Sequence, residues 1–160
     1  MCLLTILCSL VLGFSMPADS SPKADSVLVV KSERKLKLIR HGEIFREFSI
    51  ALGSRPVGHK WSEGDQRTPE GFYVLDWRNP VSRFYRSIHV SYPDDTDESY
   101  ARMAGVNPGG NIMIHGLPND SLASKWLGWD WTDGCIAVSN DAMDEIWNAV
   151  DEGTPIEIRP

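Results

Sequence analysis

Residues 26–52 read SVLVVKSERKLKLIRHGEIFREFSIAL, three apolar runs separated only by the short turns SER and HGE. This stretch constrains the fold more than any other. A parallel crossover needs a dozen or more residues between strands, so connections this short dictate an antiparallel meander. KLKLIR alternates, which puts Leu36 and Leu38 on one face, and Ile44, Phe45, Phe48 and Ile50 supply the third strand. The first strand is expected over Val27 to Lys31.

Residues 53–71 are rich in Gly, Pro and charge and read as a long loop, of the kind that is usually functional or mobile. Strands follow at 72–77 and 86–93, then a polar stretch ending in Pro-Gly-Gly, then the short buried strand NIMIHG at 111–116. A second long loop, residues 117–134, holds Trp126, Trp129 and Trp131. CIAV is a short strand. SNDAMDEIWNAVDEG is the one clear helix, with Met143, Ile146, Trp147 and Val150 at helical spacing, Asn140 or Asp141 as its cap and Gly153 at its end. TPIEIRP closes as a strand. The expectation is a mainly β domain with one α-helix near the C-terminus, and no internal repeat.

Residues 2–14, CLLTILCSLVLGF, form an uncharged apolar run followed by a polar, small-residue stretch. The run is short for a membrane span, which takes about 20 residues. It fits a signal peptide over residues 1–15, with an uncleaved anchor as the alternative and residues 16–26 as a linker. Residues 27–160 then form one domain, long enough to bury a core. The net charge of −6 argues against nucleic acid as a partner and gives no attraction to anionic lipid. No obligate membrane partner is expected.

Two of the three cysteines lie in the first eight residues, so the domain keeps Cys135 alone and has no internal disulfide framework. A lone cysteine is more often a small buried hydrophobe than a nucleophile. Three features favour reactivity here: the expected export, Gly134 beside it, and a helix start just beyond that would favour a thiolate. An imidazole can take the thiol proton. Of the four histidines, His41 sits in a turn, His59 in the long loop and His89 in a strand. His115 ends the apolar strand, where a side chain meets the surface, with Gly116 next to it. Scattered His and one Cys lack metal-ligand spacing, so no metal or organic cofactor is expected.

IHG followed by TDGCIAV resembles the catalytic motif of the L,D-transpeptidase (YkuD-type) family: a His, a long gap, Ser or Thr, usually a second His, then Gly-Cys. Here 16 residues separate His115 from Thr132, and Asp133, Gly134, Cys135 and Ile136 follow. GHKWSEGDQRTPEGFY resembles the family's loop-and-strand segment with its TPxG signature, and GTPIEIRP its closing strand. DWTDGCIAVSN with NPVSRFYRSIHVSYP is most similar to the YafK-type branch. The resemblance spans roughly residues 26–160.

The family implies a β-sandwich-like fold, a periplasmic or cell-envelope location, and peptidoglycan stem peptides as substrates, with wall-linked lipoprotein as a further partner. By that resemblance Cys135 is the nucleophile and His115 the general base, oriented by the Gly116 carbonyl. The backbone N–H groups of Gly134 and Cys135 hold the oxyanion, each such donor lowering the barrier by about 3 kcal/mol. Thr132, Asp133, Arg67 and Trp131 are candidate substrate contacts. Asp133 stands where many members have His, and Ala137 where many have Arg or Asn. Asp133 is expected to hold a substrate ammonium or to pair with Arg67 or Lys60. Thr68-Pro69-Glu70-Gly71 reads most simply as a turn into a strand, and the tryptophans either line a groove or pin the loop to the sheet. The expected chemistry is acyl transfer from a stem tetrapeptide to an amine. A hydrolase that trims or detaches, and a non-catalytic wall-binding domain, are the alternatives.

Overall fold

A computed structural model of the chain describes residues 22–120 and 128–160. The expected signal segment and Trp126 lie outside them. The elements are β1 (Ser26–Val30), β2 (Lys35–Arg40), β3 (Glu43–Ser49), β4 (Gly71–Ser82), β5 (Tyr85–Val90), α1 (Asp95–Ala104), β6 (Met113–His115), β7 (Ile136–Ala137), α2 (Asn140–Ala149) and β8 (Thr154–Arg159).

The β1–β2–β3 meander forms as its turns require, with Val27 opposite Leu38 and Val29 opposite Leu36. All eight strands join one sheet in the order β3-β2-β1-β8-β4-β5-β6-β7, with β1–β8 and β6–β7 parallel. The sheet curls until its ends meet: bridges from Ala51 to Ala137 and from Gly53 to Thr132 tie the chain leaving β3 to the β7 edge. Alternate side chains fill the inside, among them Leu36, Leu38, Leu75, Ile88, Ile114, Ile136, Ile156 and Ile158, all buried. Helix α2 adds Met143, Ile146 and Ala149 to this core.

Three expectations are corrected: the number of helices and the two caps of the C-terminal one. There are two helices, not one. Asp95–Ala104 is helical although it buries only Asp97 and Ala101, so it lacks an apolar stripe to read. A capping box between Asp94 and Asp97 starts it, and Gly105 ends it at φ 66°. Helix α2 is capped by Ser139 Oγ, which accepts from Ala142 N–H at 3.2 Å, because Asn140 Oδ1 is taken by Leu117 N–H at 2.9 Å. Its C-cap is Val150, not Gly153. Ile44 is exposed, and a register shift between Leu38 and Ile39 breaks the β2–β3 ladder beside it. Residues just before β1 are tied to the sheet and to α2: Ala24 N–H bonds Ala149 O at 2.8 Å and Asp25 N–H bonds Ile39 O at 2.8 Å.

The 53–71 loop is pinned rather than loose. Lys31, almost fully buried, donates to Gly58 O at 2.7 Å, Thr68 O at 2.9 Å and Glu70 Oε1 at 2.8 Å. Burial lowers its pKa, against the raising effect of Glu70. Thr68-Pro69-Glu70-Gly71 leads into β4, which starts at Gly71. His59 Nε2 stands 2.9 Å from Asp97 Oδ1, and Trp61 packs on Tyr100 at 4.1 Å between ring centres, so the loop is fastened to α1.

Candidate active site

Ile114 pairs with Ile136 across β6–β7, and both point into the core. Side chains alternate along a strand, so Met113, His115, Cys135 and Ala137 share the outer face. His115 lies opposite Ala137, two residues past Cys135, which makes Cys135 and His115 diagonal neighbours at the β6–β7 edge.

His115 is fixed on all sides. Its Nδ1 stands 2.7 Å from Gly116 O. A carbonyl only accepts, so Nδ1 carries the proton and Nε2 keeps its lone pair. The ring packs against Phe84 at 4.6 Å and Trp131 at 5.6 Å between centres. Burial lowers its pKa, and the Gly116 bond opposes this. Gly116 has to be glycine: a Cβ there would sit 2.6 Å from Asn140 Oδ1 and 2.8 Å from Tyr85 Cβ.

The turn that presents Cys135 is built from behind. Thr132 is buried. Its hydroxyl donates to Cys135 O at 2.7 Å and accepts from Gly134 N–H at 3.2 Å. Thr132 is thus a frame for the nucleophile's turn rather than a surface contact. The Gly134 N–H, expected to face an oxyanion, is engaged with that hydroxyl, whereas Cys135 N–H has no acceptor among the described residues. Gly134 adopts φ 130°, and a Cβ on it would lie 2.6 Å from Arg67 O. Asp130 secures the start of the turn. It accepts from Leu52 N–H at 2.9 Å and from Arg34 Nε and Nη2 at 3.0 Å and 2.8 Å. Arg34 and Asp130 were not singled out in the sequence, where they stand 96 residues apart.

Cys135 is half-buried, the free cysteine of the described residues, with Sγ 3.5 Å from Asn111 O. Burial pushes its thiol up. A backbone bond at Met113 and the charge of Lys60 act downward, and Asp133 acts upward. The thiolate expected from a nearby helix start is therefore not favoured in the resting site. β7 stands between Cys135 and α2, which begins at Asn140. The resting pair is thiol and neutral imidazole.

A cleft of about 620 Å³ lies beside Cys135, lined by Lys60, Glu63, Gln66, Gly110, Asn111 and Asp133. Arg67 gives the site its backbone; its guanidinium reaches instead toward His59 O at 3.5 Å and Gly58. Neither expected ion pair of Asp133 forms: Lys60 is paired with Asp65 at 3.1 Å, and Asp133 makes no salt bridge among the described residues. A smaller apolar hollow of about 190 Å³ is bordered by Trp131, Leu117 and Ala137. Trp129 is 71 % exposed and outside the His115 contacts. His41 lies in its exposed turn. His89 Nδ1 is 2.7 Å from Asp76, its ring stacked on Trp77, and it pairs with Met113 across the β5–β6 ladder.

Residues 24–158 match the YkuD family, described as the L,D-transpeptidase catalytic domain. The chain belongs to this family. An L,D-transpeptidase relative by name, YafK of Escherichia coli, is 33% identical over 131 residues, 78% of this chain and 46% of YafK. The helical cell shape determining protein Pgp2 from Campylobacter jejuni is similar in structure, with a TM-score of 0.65 at 28% identity, covering 88% of this chain and 51% of Pgp2. Bdellovibrio bacteriovorus Bd1075 shares the fold, with a TM-score of 0.58 at 23% identity, over 89% of this chain and 49% of its own. The chain thus spans about half the length of these relatives. His115 and Cys135, the ends of the stretch that resembles the family's motif, share the outer face of the β6–β7 edge.

Proposed function

We propose that this domain is a cysteine acyltransferase acting on peptidoglycan stem peptides in the cell envelope. The observation that carries the reading is that Cys135 and His115 share one outer face, with His115 Nδ1 committed to Gly116 O so that Nε2 is left as a base. Membership of the L,D-transpeptidase family supports this reaction class.

The reaction runs from a neutral pair. As the Cys135 thiol attacks the carbonyl between the diamino third residue and the terminal D-Ala, its proton passes to His115 Nε2. The tetrahedral oxyanion forms against the Cys135 N–H, and against Gly134 N–H if Thr132 Oγ shares that donor. His115 returns the proton to the departing D-Ala amine, which leaves a thioester on Cys135. An amine then takes the acyl group. A thiol held up by burial and an imidazole held down make transfer unfavourable until the oxyanion contacts form, so the site is quiet without substrate.

Hydrolysis is the second reading, favoured by Asp133 and Ala137 standing where many members have His and Arg or Asn. It would make the domain a carboxypeptidase or an enzyme that detaches wall-linked lipoprotein. Mass spectrometry of the chain mixed with tetrapeptide muropeptides decides between them, with Cys135→Ala alongside. Cysteine-dependent dimers joined through two diamino residues support transfer. Cysteine-dependent shortened peptides without dimers support hydrolysis, and no cysteine-dependent product overturns both.

A further inference from the structure

The hairpin joining β4 to β5 is strained in a way that strand pairing does not require. Ser82 pairs with Tyr85 across it, and Tyr85 stands at φ 65°. That is the left-handed region, where a bulky side chain is an outlier and glycine is the usual occupant of a hairpin end. Asn119 clasps the turn. Its Oδ1 accepts from Tyr85 N–H at 2.9 Å, its Nδ2 donates to Ser82 O at 2.9 Å, and its N–H donates to Arg83 O at 3.2 Å. Phe84 N–H donates to Ser82 Oγ at 3.0 Å, and the Tyr85 hydroxyl donates to Asp144 Oδ2 at 2.8 Å. Tyr85 also lies so close to Gly116 that a Cβ there would sit 2.8 Å from Tyr85 Cβ.

What this turn holds in place is the Phe84 ring. Phe84 is half-buried and, among the described residues, is not one of the side chains that fill or flank the core. Its ring lies 4.6 Å from the His115 imidazole and 5.8 Å from Trp131 between centres. Trp131 meets His115 edge-on, so the two aromatic rings wall the imidazole and leave His115 3 % exposed. The ionisable groups around it are engaged elsewhere or set back. Tyr85 and Arg86, on β5, both turn to Asp144 of α2, Arg86 at 3.0 Å. Arg83, on the turn itself, is exposed, with its guanidinium carbon 6.0 Å from the Phe84 ring centre. Cys135 and exposed Asp133 stand on the β7 side. What moves the imidazole is burial, downward, opposed by the Gly116 bond. A strained residue that serves no strand or core is a reason to look for a role at the site it adjoins.

We propose that Phe84 is a positioning residue for His115: the strained tip of the β4–β5 hairpin, clasped by Asn119, holds the Phe84 ring against the imidazole and keeps water off it. The inference rests on the reading of His115 as the base. An imidazole that water cannot reach gains little hydration in its charged form. The base therefore waits unprotonated at pH values where an exposed histidine is already charged.

NMR titration of the His115 ring in the full chain tests this without substrate, the signal being assigned by its loss in His115→Gln. Phe84→Ala is expected to raise the midpoint toward the ordinary 6.5. Phe84→Leu keeps an apolar cover and is expected to stay close to the unsubstituted chain. Asn119→Ala keeps the ring but releases the turn, and is expected to shift the midpoint in the same direction as Phe84→Ala. It decides the matter if Phe84→Ala does not fold. With stem tetrapeptides, the loss of kcat/KM in Phe84→Ala should be larger at about pH 6 than at about pH 8, since the acid limb follows the free base. A midpoint unmoved in folded Phe84→Ala or in Asn119→Ala, one raised equally by Phe84→Leu, or a loss equal at both pH values overturns the proposal. Turnover of the stem peptides by the unsubstituted chain reports separately on the enzymatic reading. A shifted midpoint in a chain that turns over no stem peptide would sink that reading and leave the role of Phe84 on His115 standing.

Discussion

His115 Nδ1 is hydrogen-bonded to the carbonyl of the next residue, Gly116, at 2.7 Å. The bond fixes both the tautomer and the direction of the ring, and it exists because Gly116 lets the chain pass tightly between Asn140 and Tyr85. The ring is thus oriented by backbone alone, with no carboxylate behind it among the described residues.

Gly116→Ala places a methyl group 2.6 Å from Asn140 Oδ1 and 2.8 Å from Tyr85 Cβ. Backbone would have to move, turning the carbonyl that holds His115. A fall in kcat of about 100-fold or more is expected, as for other misplacements near an ångström. Steady-state kinetics on stem peptides, with circular dichroism to confirm folding, checks it.

Gly134→Ala meets Arg67 O at 2.6 Å and must hold φ 130°. Alanine at such a φ costs more than about 1 kcal/mol, and the clash adds to it. Chemical denaturation should show the loss of stability, and Cys135 acylation should fail even where the chain folds.

Asp130→Ala tests the frame of the Cys135 turn. It leaves Leu52 N–H and Arg34 Nε and Nη2 without their acceptor. A loss of about 1–3 kcal/mol is expected from the unsatisfied donors. Arg34→Ala, which leaves the Leu52 bond intact, should cost less by denaturant midpoint.

The pH dependence follows from burial of His115. Burial lowers its pKa from the ordinary 6.5, so the acid limb of kcat/KM should fall below that value. The same shift sets a stability trend. The unfolded chain takes up the proton first, so stability is complete above about 6.5 and declines as pH drops toward the folded-state pKa. His115→Gln should flatten this part of the stability profile. An acid limb above 6.5 would contradict the burial argument.

The meander and the closing strand were legible in the sequence because Leu36, Leu38, Ile156 and Ile158 alternate with polar neighbours, and period two survives any tertiary context. Helix α1 was not, since it buries Asp97 against Tyr73 and His59 rather than an apolar stripe. Cys135 and His115 stood out as candidates through motif spacing, and the fold puts both on one outer face. The Arg34–Asp130 clamp was not legible, because nothing local marks two charges that meet only when the sheet curls. The engagement of Gly134 N–H by Thr132 is a matter of a single turn's geometry, below what residue types specify.

The most direct measurement is the intact mass of the chain quenched during reaction with a stem tetrapeptide, with peptide mapping of the adduct. The account predicts an added tripeptide acyl group on Cys135, absent from Cys135→Ala and strongly diminished in His115→Ala. No adduct on Cys135 under conditions where product accumulates, or an adduct formed equally fast in His115→Ala, would contradict it.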